Sequence, residues 1–497
     1  MSEPVHYINV QAANTNLVGR SILGNTEYST QIVCDEGYSI YEITIKMGGV
    51  DITSTAYDPT YNMITIPSVT DDVDIECYAM HTMPSDYVRV DGIKNPSNAS
   101  INTGYKCTPN TRLEIKTTLV KAASGYTQLA SSKSAGMSTT SGSGWYIHTN
   151  NTLYSFGGST GSLSIIGNVT SVLGNTYEFI ADYYTNKHTI VGGATVSYSA
   201  RKTATDTYYM GLFGRNEGAE GGQTKGQIVY YFRIYDYSTT SYVRYYIPCL
   251  NASGVAGFWD AARGVFQGSS NSTAFQPVYV QDNLIAHYDG IDNAGVGVHD
   301  ASATTWKDLK GNYDATTDSA ITWDSNGFTN NSDRRLFKAS PNIIQTISPV
   351  DFTIECVFKP TNITSGGVRP TLVSNYNGAS NINRLHVNIR TDAFVVFNSS
   401  TSVQTPSGLL DNGNSYTVTI RRAGNTCAIF VNGVKAKEKD IGYLRFTSNN
   451  EYYEIGSYFS TSYAFKGTYY AHRVYTKALT DEEIKGNYNI DKLRFNF

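Results

Sequence analysis

The sequence predicts an all-β protein in which a small β-sandwich is followed by two copies of one larger sandwich. Composition is the first observation: the 497 residues include 44 Gly and 39 Tyr, with many Ser, Thr and Asn, as is typical of strands and turns. The second is that runs of Ala, Leu and Glu, which would form long helices, are missing. The third is an internal repeat, since several segments recur in the same order at a nearly constant spacing.

Two pairs of segments define the repeat. "LEIKTTL", which begins at Leu113, corresponds to "FTIECVF", which begins at Phe352, 239 residues later. "KGQIVYYFRIYD" (225–236) corresponds to "KGTYYAHRVYT" (466–476), with an offset of 241. A duplicated fold keeps its strands in order while its surface residues diverge. We therefore predict two copies of one β-rich module, each roughly 200 residues long.

A hairpin lies in each copy. "HTIVGGATV" carries Gly192 and Gly193 where "AIFVNGVKA" carries Asn432 and Gly433. Gly and Asn tolerate the positive φ angles of a tight type I′ turn. The sequence predicts such a turn at both positions.

The chain divides into three predicted domains. Residues 1–83 contain short alternating strands separated by turn signals, the pattern of an immunoglobulin-like sandwich. The two larger modules span 84–280 and 281–497, and we expect each to be a jelly roll of two curved antiparallel sheets. One helix is predicted, near the C-terminus, because Thr480 and Glu483 form a capping box and Leu479 can pack against Ile484.

Charge and targeting signals exclude several function classes. Charged residues make up 16% of the chain, and the net charge of −4 is spread without a basic block, so nucleic-acid binding is not expected. The N-terminus has no secretory signal pattern and no run of about 18 apolar residues occurs, so we expect neither conventional export nor membrane insertion. Six scattered cysteines favour buried free thiols over a disulfide framework.

Catalytic patterns are sparse. Asp72, Asp74 and Glu76 alternate on one strand, as paired carboxylates of carbohydrate-cleaving jelly rolls do. They fall in the small domain, however, where acids on an exposed edge strand are the favoured interpretation. The GxSxG pattern at 157–161 lacks the helix that a nucleophile elbow requires.

One group of oxygen-bearing residues is a candidate metal site. Asp289, Asp292 and Asn293 in "YDGIDNAG", together with Asp308 in "WKDLKGN", offer clustered ligands for Ca²⁺. Asp, Asn and Gly are equally the residues of tight turns, which is the favoured interpretation.

Aromatic residues predicted to lie on loops are the candidate carbohydrate contacts. Tyr and Trp stack on sugar rings with their apolar faces while their polar tips reach hydroxyls. The candidates are Trp145 in "GSGWYIH", Tyr376 in "SNYNGASNINR" and Tyr453 in "NNEYYEI".

Several segments carry a family resemblance. "LIAHYDGIDNAG", "WKDLKGNYDAT", "FVNGVKA" and "HRVYTKALTDEEIKGNY" resemble the laminin-G-like, concanavalin-A-like sandwich of many phage and bacterial surface proteins. The middle module is similar to a variant found in tail-region proteins of phages of Gram-positive gut bacteria. "GYSIYEITIKMGGVDITSTAY" resembles the small immunoglobulin-like domain that often precedes it.

The resemblance implies a virion structural protein, made in the host cytoplasm and acting outside the cell. It would be a fibre, receptor-binding or decoration component that binds host-surface glycan without cleaving it. The immunoglobulin-like domain would dock on other virion proteins, and a homo-oligomer is expected. The alternatives are a polysaccharide-active enzyme on a jelly-roll scaffold and a purely architectural virion protein.

Overall fold

The computed structural model describes most of the chain. The described residues are 4–97, 99–121, 127–132, 142–158, 161–198, 200–214, 224–270, 272–317, 321–332, 336–347, 351–361, 363, 370–375, 385–390, 395–398, 402–442, 453–457 and 463–497. The protein is nearly all β, as the composition predicts. It forms two compact units, one of Met1–Tyr87 and Gly92–Pro277, the other of Val88–Asp91 and Val278–Phe497.

The immunoglobulin-like small sandwich lies in the first unit. Its elements are β1 (Val5–Ala13), β2 (Arg20–Leu23), β3 (Tyr28–Gln31), β4 (Tyr38–Met47), β5 (Val50–Asp51), α1 (Thr53–Ala56), β6 (Tyr57–Asp58), β7 (Met63–Ile66) and β8 (Val73–His81). One sheet has the order β2-β1-β8-β4-β5 and the other β3-β7-β6. The edge-strand interpretation of the acidic triplet is wrong, because β8 pairs with both β1 and β4. Asp74 and Glu76 alternate with buried residues on the exposed face of this central strand.

The middle sandwich completes the first unit. After β9 (Val88–Arg89), which belongs to the second unit, its strands are β10 (Gly92–Lys94), β11 (Ile101–Asn102), β12 (Thr111–Thr118), β13 (Thr127–Ser131), β14 (Gly144–Ile147), β15 (Leu153–Gly158), β16 (Gly161–Ile166), β17 (Thr176–Asp182), β18 (Lys187–Ile190), β19 (Thr195–Ser197), β20 (Gly211–Leu212), β21 (Ile228–Asp236), β22 (Ser241–Leu250), β23 (Ala256–Asp260), β24 (Val265–Gln267) and β25 (Gln276–Val278). A 3₁₀ turn spans Thr170–Val172. The first sheet has the order β19-β18-β17-β12-β21-β22-β23-β24, and the second β11-β20-β13-β14-β15-β16.

The C-terminal sandwich forms most of the second unit. Its elements are β26 (Leu284–Asp289), β27 (Thr305–Trp306), β28 (Ala315–Thr316), β29 (Thr322–Trp323), β30 (Phe328–Asn330), β31 (Phe337–Ala339), α2 (Ile344–Ile347), β32 (Phe352–Pro360), β33 (Thr371–Ser374), β34 (His386–Ile389), β35 (Val395–Asn398), β36 (Val403–Gln404), β37 (Tyr416–Ala423), β38 (Thr426–Val431), β39 (Val434–Asp440), β40 (Tyr453–Ile455), β41 (Gly467–Tyr475) and α3 (Asp481–Phe495). The first sheet has the order β29-β30-β41-β32-β37-β38-β39, and the second β27-β28-β31-β40-β33-β34-β35-β36. One apolar core lies between the two sheets.

Strand pairing confirms the duplication and corrects its alignment. In the middle sandwich Glu114 of β12 pairs with Arg233 of β21, and in the C-terminal sandwich Glu355 of β32 pairs with Arg473 of β41. Glu114 therefore corresponds to Glu355, an offset of 241, and the offset of 239 read from this strand is wrong. A shift of two residues preserves the alternation between the two faces of a strand, so the hydrophobic pattern alone does not detect it.

The two predicted hairpins differ in their turns. Asn432 and Gly433 have φ angles of 53° and 75° and join β38 to β39 as a two-residue turn, which confirms that prediction. In the middle sandwich only Gly192 has a positive φ, of 74°. The connection there is longer, because the last pair of the ladder is Thr189 with Thr195. The tight turn predicted for this hairpin is wrong.

Helix α3 begins as predicted. The Thr480 hydroxyl accepts a hydrogen bond from the Glu483 backbone N–H at 3.1 Å, and the Glu483 carboxylate accepts one from the Thr480 N–H at 2.8 Å. Leu479 and Ile484 are both fully buried in one apolar cluster. The capping box and the apolar contact predicted from sequence are therefore present.

Removing this cap is expected to weaken the attachment of the helix. T480A should lower the free energy of unfolding of the second unit by about 1 kcal/mol, because one orphan N–H of the first turn loses its acceptor. Urea denaturation measures the change. T361A removes an exposed threonine of the same unit and should change stability by less than about 0.5 kcal/mol. Equal effects of the two variants would contradict the capping role.

A buried ionic cluster attaches α3 to the first sheet of the C-terminal sandwich. The Arg473 guanidinium donates to Glu355 at 2.7 Å and, through both terminal nitrogens, to Asp491 at 2.8 and 2.7 Å. Asn487 donates to the same Glu355 oxygen at 2.9 Å. Arg473, Glu355 and Asp491 are all fully buried. The outer face of this sheet is thus covered by the helix.

In the first unit the small sandwich covers part of the corresponding face. Arg233 lies 3.5 Å from both Glu114 and Glu42, and Glu42 belongs to β4. The Gln11 amide donates to the Tyr235 hydroxyl at 2.8 Å. Tyrosine rings from both sides pack edge to face in the same contact, which forms a buried cluster. The small and middle sandwiches are therefore packed together.

Candidate carbohydrate-binding surfaces

The second sheet of each large sandwich presents a row of polar or aromatic side chains on the face opposite the core. In the middle sandwich, Gln128 of β13 pairs with Tyr146 of β14, and Tyr146 pairs with Tyr154 of β15. Their neighbours Leu129, Trp145 and Leu153 are fully buried. Because side chains alternate between the two faces of a strand, the three residues lie side by side on the outer face. We call Gln128, Tyr146 and Tyr154 the aromatic row.

The rings of the aromatic row are stacked on one another. The Tyr146 and Tyr154 ring centroids lie 5.4 Å apart with an interplanar angle of 19°. Tyr154 is half-buried, whereas Tyr146 is only 6% exposed. His148 adds a third ring 5.9 Å from Tyr154. The row therefore presents an aromatic surface whose orientation is held by its neighbours.

Hydrogen-bonding groups flank these rings. The Gln128 Oε1 atom is buried and has no hydrogen-bond partner among the described residues. On the other side, the exposed Ser164 of β16 pairs with Tyr154. An orphan buried acceptor is costly unless a ligand or water hydrogen-bonds to it. The aromatic row thus combines a ring surface with an unused acceptor at one end.

The equivalent strands of the C-terminal sandwich carry polar residues instead. Ser374 of β33 pairs with His386 of β34 and with Glu454 of β40, and Glu454 pairs with Lys338 of β31. The residues that alternate with them, such as Val373, belong to the core. We call Lys338, Glu454, Ser374 and His386 the polar row. Lys338 is exposed, whereas the other three residues are between 1% and 6% exposed.

One amide beside the polar row has an unused hydrogen-bonding atom. Asn388 Oδ1 has no partner within the part of the chain that the structure describes, and its side chain is fully buried. It is an acceptor, with which a sugar hydroxyl group can pair. His386 Nε2 lies 3.1 Å from the Thr371 hydroxyl, which holds the imidazole on this face.

Sequence reasoning missed both rows and selected other aromatics. Trp145 and Tyr453 were expected on loops, but both are fully buried in strands, β14 and β40, and face the core. The Tyr453 hydroxyl lies 2.8 Å from His472 Nε2 inside the C-terminal sandwich. Neither ring is available to a sugar in this structure. Tyr376 lies outside the described residues.

The candidate calcium ligands make internal contacts. Asp289 is fully buried, and its carboxylate forms an ion pair with Arg494 of α3 and accepts the backbone N–H of Ile291 at 2.9 Å. The Arg494 guanidinium also lies 3.1 Å from Asp292. A guanidinium thus neutralises the two carboxylates that a cation would need, and it holds the pKa of Asp289 below its usual value despite burial.

Asn293 and Asp308 are turn residues. Asn293 exchanges two hydrogen bonds with the backbone of Asp300, at 2.7 and 2.8 Å. The Asp308 carboxylate accepts four backbone N–H bonds, from residues 287, 310, 312 and 313. These contacts fit the alternative of turn chemistry, and Ca²⁺ binding by the four residues stays a prediction.

A buried Ser–His contact in the middle sandwich is structural. Ser155 Oγ lies 2.6 Å from His188 Nδ1, and both residues are at most 1% exposed. Burial lowers the pKa of His188 to about 4. A substrate has no access to this pair in the core. The GxSxG pattern lies only partly in the described residues, since 159–160 are outside them.

Among the described residues, no helix has the length and apolar character needed to span a membrane.

Part of the C-terminal sandwich matches the model of a known protein family. Residues 337–485 match the family model of the concanavalin A-like lectin/glucanases superfamily. The second unit therefore contains a concanavalin-A-like, laminin-G-like domain, as its sequence resemblance implies. The match includes the strands of the polar row and the first turn of α3. No curated protein sequence matches the chain.

Solved structures resemble parts of the chain. The CBM40 domain of the Ruminococcus gnavus sialidase, solved with α2,3-sialyllactose, is 19% identical to the matched part of this chain. The match covers 29% of this chain and 84% of the CBM40 chain, with a TM-score of 0.25. Domain 4 of a Geobacillus stearothermophilus arabinanase, solved with arabinotriose, is 17% identical, with coverages of 41% and 97% and a TM-score of 0.33. The receptor-binding domain of a botulinum neurotoxin C/D mosaic is 15% identical, with coverages of 42% and 51% and a TM-score of 0.34.

Proposed function

We propose that this protein binds carbohydrate through the outer faces of its two second sheets and cleaves none. The observation that carries the proposal is the aromatic row, where the half-buried Tyr154 ring is stacked on Tyr146 beside the orphan acceptor of Gln128. The apolar face of a pyranose packs on a tyrosine ring, while its hydroxyls donate to side-chain oxygens. Ring and acceptor are held in advance by neighbouring strands, so little order is lost on binding.

The polar row would bind a different part of a glycan. Its side chains are polar, and the Asn388 Oδ1 acceptor beside it has no partner among the described residues. Such a face recognises hydroxyl or amino groups through hydrogen bonds rather than by stacking. Two faces of different chemistry on one chain favour a branched or mixed polysaccharide over a homopolymer, and simultaneous binding would raise the avidity.

Truncation of the exposed ring tests the aromatic row. Y154A is expected to weaken the binding of full-length protein to purified Gram-positive cell-wall polysaccharide about tenfold, since about 1.4 kcal/mol of stacking is lost. Biolayer interferometry measures the dissociation constant. Y61A removes a tyrosine that is 67% exposed in the small sandwich and should leave the constant unchanged. If Y154A and Y61A bind equally well, the aromatic row is not the binding surface.

We further propose that the protein acts as a surface component of a phage virion of a Gram-positive host. The support is the sequence resemblance of all three modules, with the small sandwich as the docking domain for other virion proteins and with homo-oligomers as the assembled form. Release of reducing sugars from the polysaccharide by purified protein would instead favour the enzyme alternative. Failure to bind any envelope fraction, with retained binding to another virion protein, would favour the architectural one.

A further inference from the structure

Four loops meet at one end of the first sheet in the middle sandwich. They are 103–110 before β12, 183–186 between β17 and β18, 200–210 before β20 and 237–240 between β21 and β22. Because β12 pairs antiparallel with β17 and β21, its start lies beside the ends of both strands. The Asp206 N–H donates to Cys107 O at 2.8 Å, which holds the third loop at the same end. We call these four segments the sheet-end loops.

The exposed charges at the sheet-end loops are positive. Lys106 and Arg201 are exposed, and so is Lys187, which begins β18 directly after the second loop. The one carboxylate within the four loops belongs to Asp206, which is only 3% exposed and forms an ion pair with Lys202. A ligand that approaches these loops therefore meets cations.

The carboxylates that end the neighbouring strands are buried. Asp182 ends β17 and Asp236 ends β21, and each residue is 8% exposed. Asp182 accepts a hydrogen bond from the Tyr237 hydroxyl at 2.7 Å, and Asp236 accepts one from the Tyr105 hydroxyl at 2.9 Å. Both carboxylates are thus bound internally, so they leave the positive charge of the surface in place.

Two exposed tyrosine rings lie beside these cations. Tyr184 is 46% exposed and Tyr209 is 44% exposed. The Arg201 guanidinium carbon lies 5.9 Å from the centroid of the Tyr184 ring. The Lys106 ammonium lies 5.2 Å from the centroid of the Tyr209 ring. The same surface therefore combines aromatic area with positive charge at two places.

The Tyr184 ring is held in place by its neighbours. It is stacked on Tyr237, with 4.5 Å between the ring centroids and an interplanar angle of 26°. The Asn186 amide donates to Tyr198 O at 2.7 Å, which fixes this turn against the segment that leads to Arg201. Because the ring is oriented before a ligand arrives, less conformational order is lost on binding.

We propose that the sheet-end loops bind an anionic glycan. Sugar rings pack against the exposed area of Tyr184 and Tyr209, as apolar sugar faces do on tyrosine. The acidic groups of the glycan pair with Arg201 and Lys106, and a guanidinium presents a planar fork of donors that matches carboxylate or phosphate. Uronic acids and sugar phosphodiesters both supply such groups.

This inference goes beyond the proposed function. The sheet-end loops lie at the end of the first sheet of the middle sandwich, whereas the aromatic row belongs to the second sheet. The aromatic row offers a ring and a neutral acceptor, while the sheet-end loops add positive charge. Binding of an anionic glycan here does not require binding at Tyr154.

Oligomers of matched length test the proposal with the full-length protein. Hexagalacturonate supplies carboxylates, a glycerol-phosphate hexamer supplies phosphodiesters, and galactohexaose is the neutral probe. Isothermal titration calorimetry at low salt is expected to show that an anionic oligomer binds at least about tenfold more tightly than galactohexaose. High salt should remove this preference, because it screens exposed charges. The anionic oligomer that binds identifies the acidic group that is recognised.

R201M tests the guanidinium, since methionine keeps part of the apolar stem and removes the charge. It should weaken binding of the anionic oligomer about tenfold, because charge-assisted hydrogen bonds are lost. R20M is the matched control: Arg20 lies 4.7 Å from the Tyr28 ring, but that ring is buried. R20M should leave the affinity unchanged.

Y154A separates this site from the proposed function. It should leave binding of the anionic oligomer unchanged, because Tyr154 lies on the other sheet. If Y154A abolishes that binding and R201M does not, the anionic glycan binds at the aromatic row and the present proposal is wrong. Absence of binding of both anionic oligomers at millimolar concentration would also overturn it, as would equal effects of R201M and R20M. An unchanged affinity of Y154A for cell-wall polysaccharide counts against the aromatic row alone.

Discussion

R473M is expected to lower the free energy of unfolding of the second unit by about 3–5 kcal/mol, the largest single-residue effect we predict. The substitution leaves Glu355 and Asp491 buried with no cation between them, and both lose their shortest hydrogen bonds. Methionine fills much of the same volume, so the loss comes from unpaired charge rather than from a cavity. Urea denaturation followed by tryptophan fluorescence measures it.

The duplication provides the control for this experiment. R233M changes the corresponding residue of the middle sandwich, whose side chain is 23% exposed, whereas Arg473 is fully buried. Glu114 keeps its ion pair with Arg112 at 2.7 Å and the Glu42 side chain is 35% exposed, so R233M should cost less than R473M, on the order of 1 kcal/mol. A cost of R473M no larger than that of R233M would contradict the stabilising role of the buried cluster.

Acidification is expected to destabilise both sandwiches through their buried histidines. Burial lowers the pKa of His472 to about 3 and that of His188 to about 4, from an ordinary value near 6.5. Above pH 6.5 the folded and unfolded states are both neutral and no proton is exchanged. As the pH falls below 6.5 the unfolded state binds a proton that the folded state does not, so stability decreases by about 1.4 kcal/mol per pH unit and residue. The decrease ends near the folded pKa.

A glutamine variant isolates this contribution from the carboxylates. Glutamine can keep a hydrogen bond to Tyr453 but does not titrate. Between pH 7 and pH 5, H472Q should therefore lose about 2 kcal/mol less stability than the wild type. H299Q, at an exposed histidine, should follow the wild type. Parallel pH profiles of H472Q and the wild type would show that His472 titrates normally in the folded state.

Local patterns in the sequence predicted several features correctly. The capping box at Thr480, the apolar contact of Leu479 and the Asn432–Gly433 turn are all present. Each depends on residues within a few positions of one another, where backbone geometry leaves few alternatives. The all-β class follows from composition for a similar reason, since it sums many local preferences.

The candidate site was not predictable from such patterns. Tyr146 follows Trp145 by one position, and only the pairing of β14 with β13 and β15 decides which of the two faces the core. A single sequence does not show which strands pair, so it does not show which of these two residues faces the core. The aromatic row also joins residues from three strands, and its geometry exists only after those strands pair.

By itself the sequence determined that the chain is all β, that one large module occurs twice and where the final helix begins. Only the tertiary structure decided how the two copies align at β12 and β32, because a shift of two residues keeps every side chain on its own face. It also decided which polar residues have partners: Arg494 is distant in sequence from Asp289 yet neutralises it. Burial and charge pairing arise from contacts between segments far apart in the chain, which a local pattern does not contain.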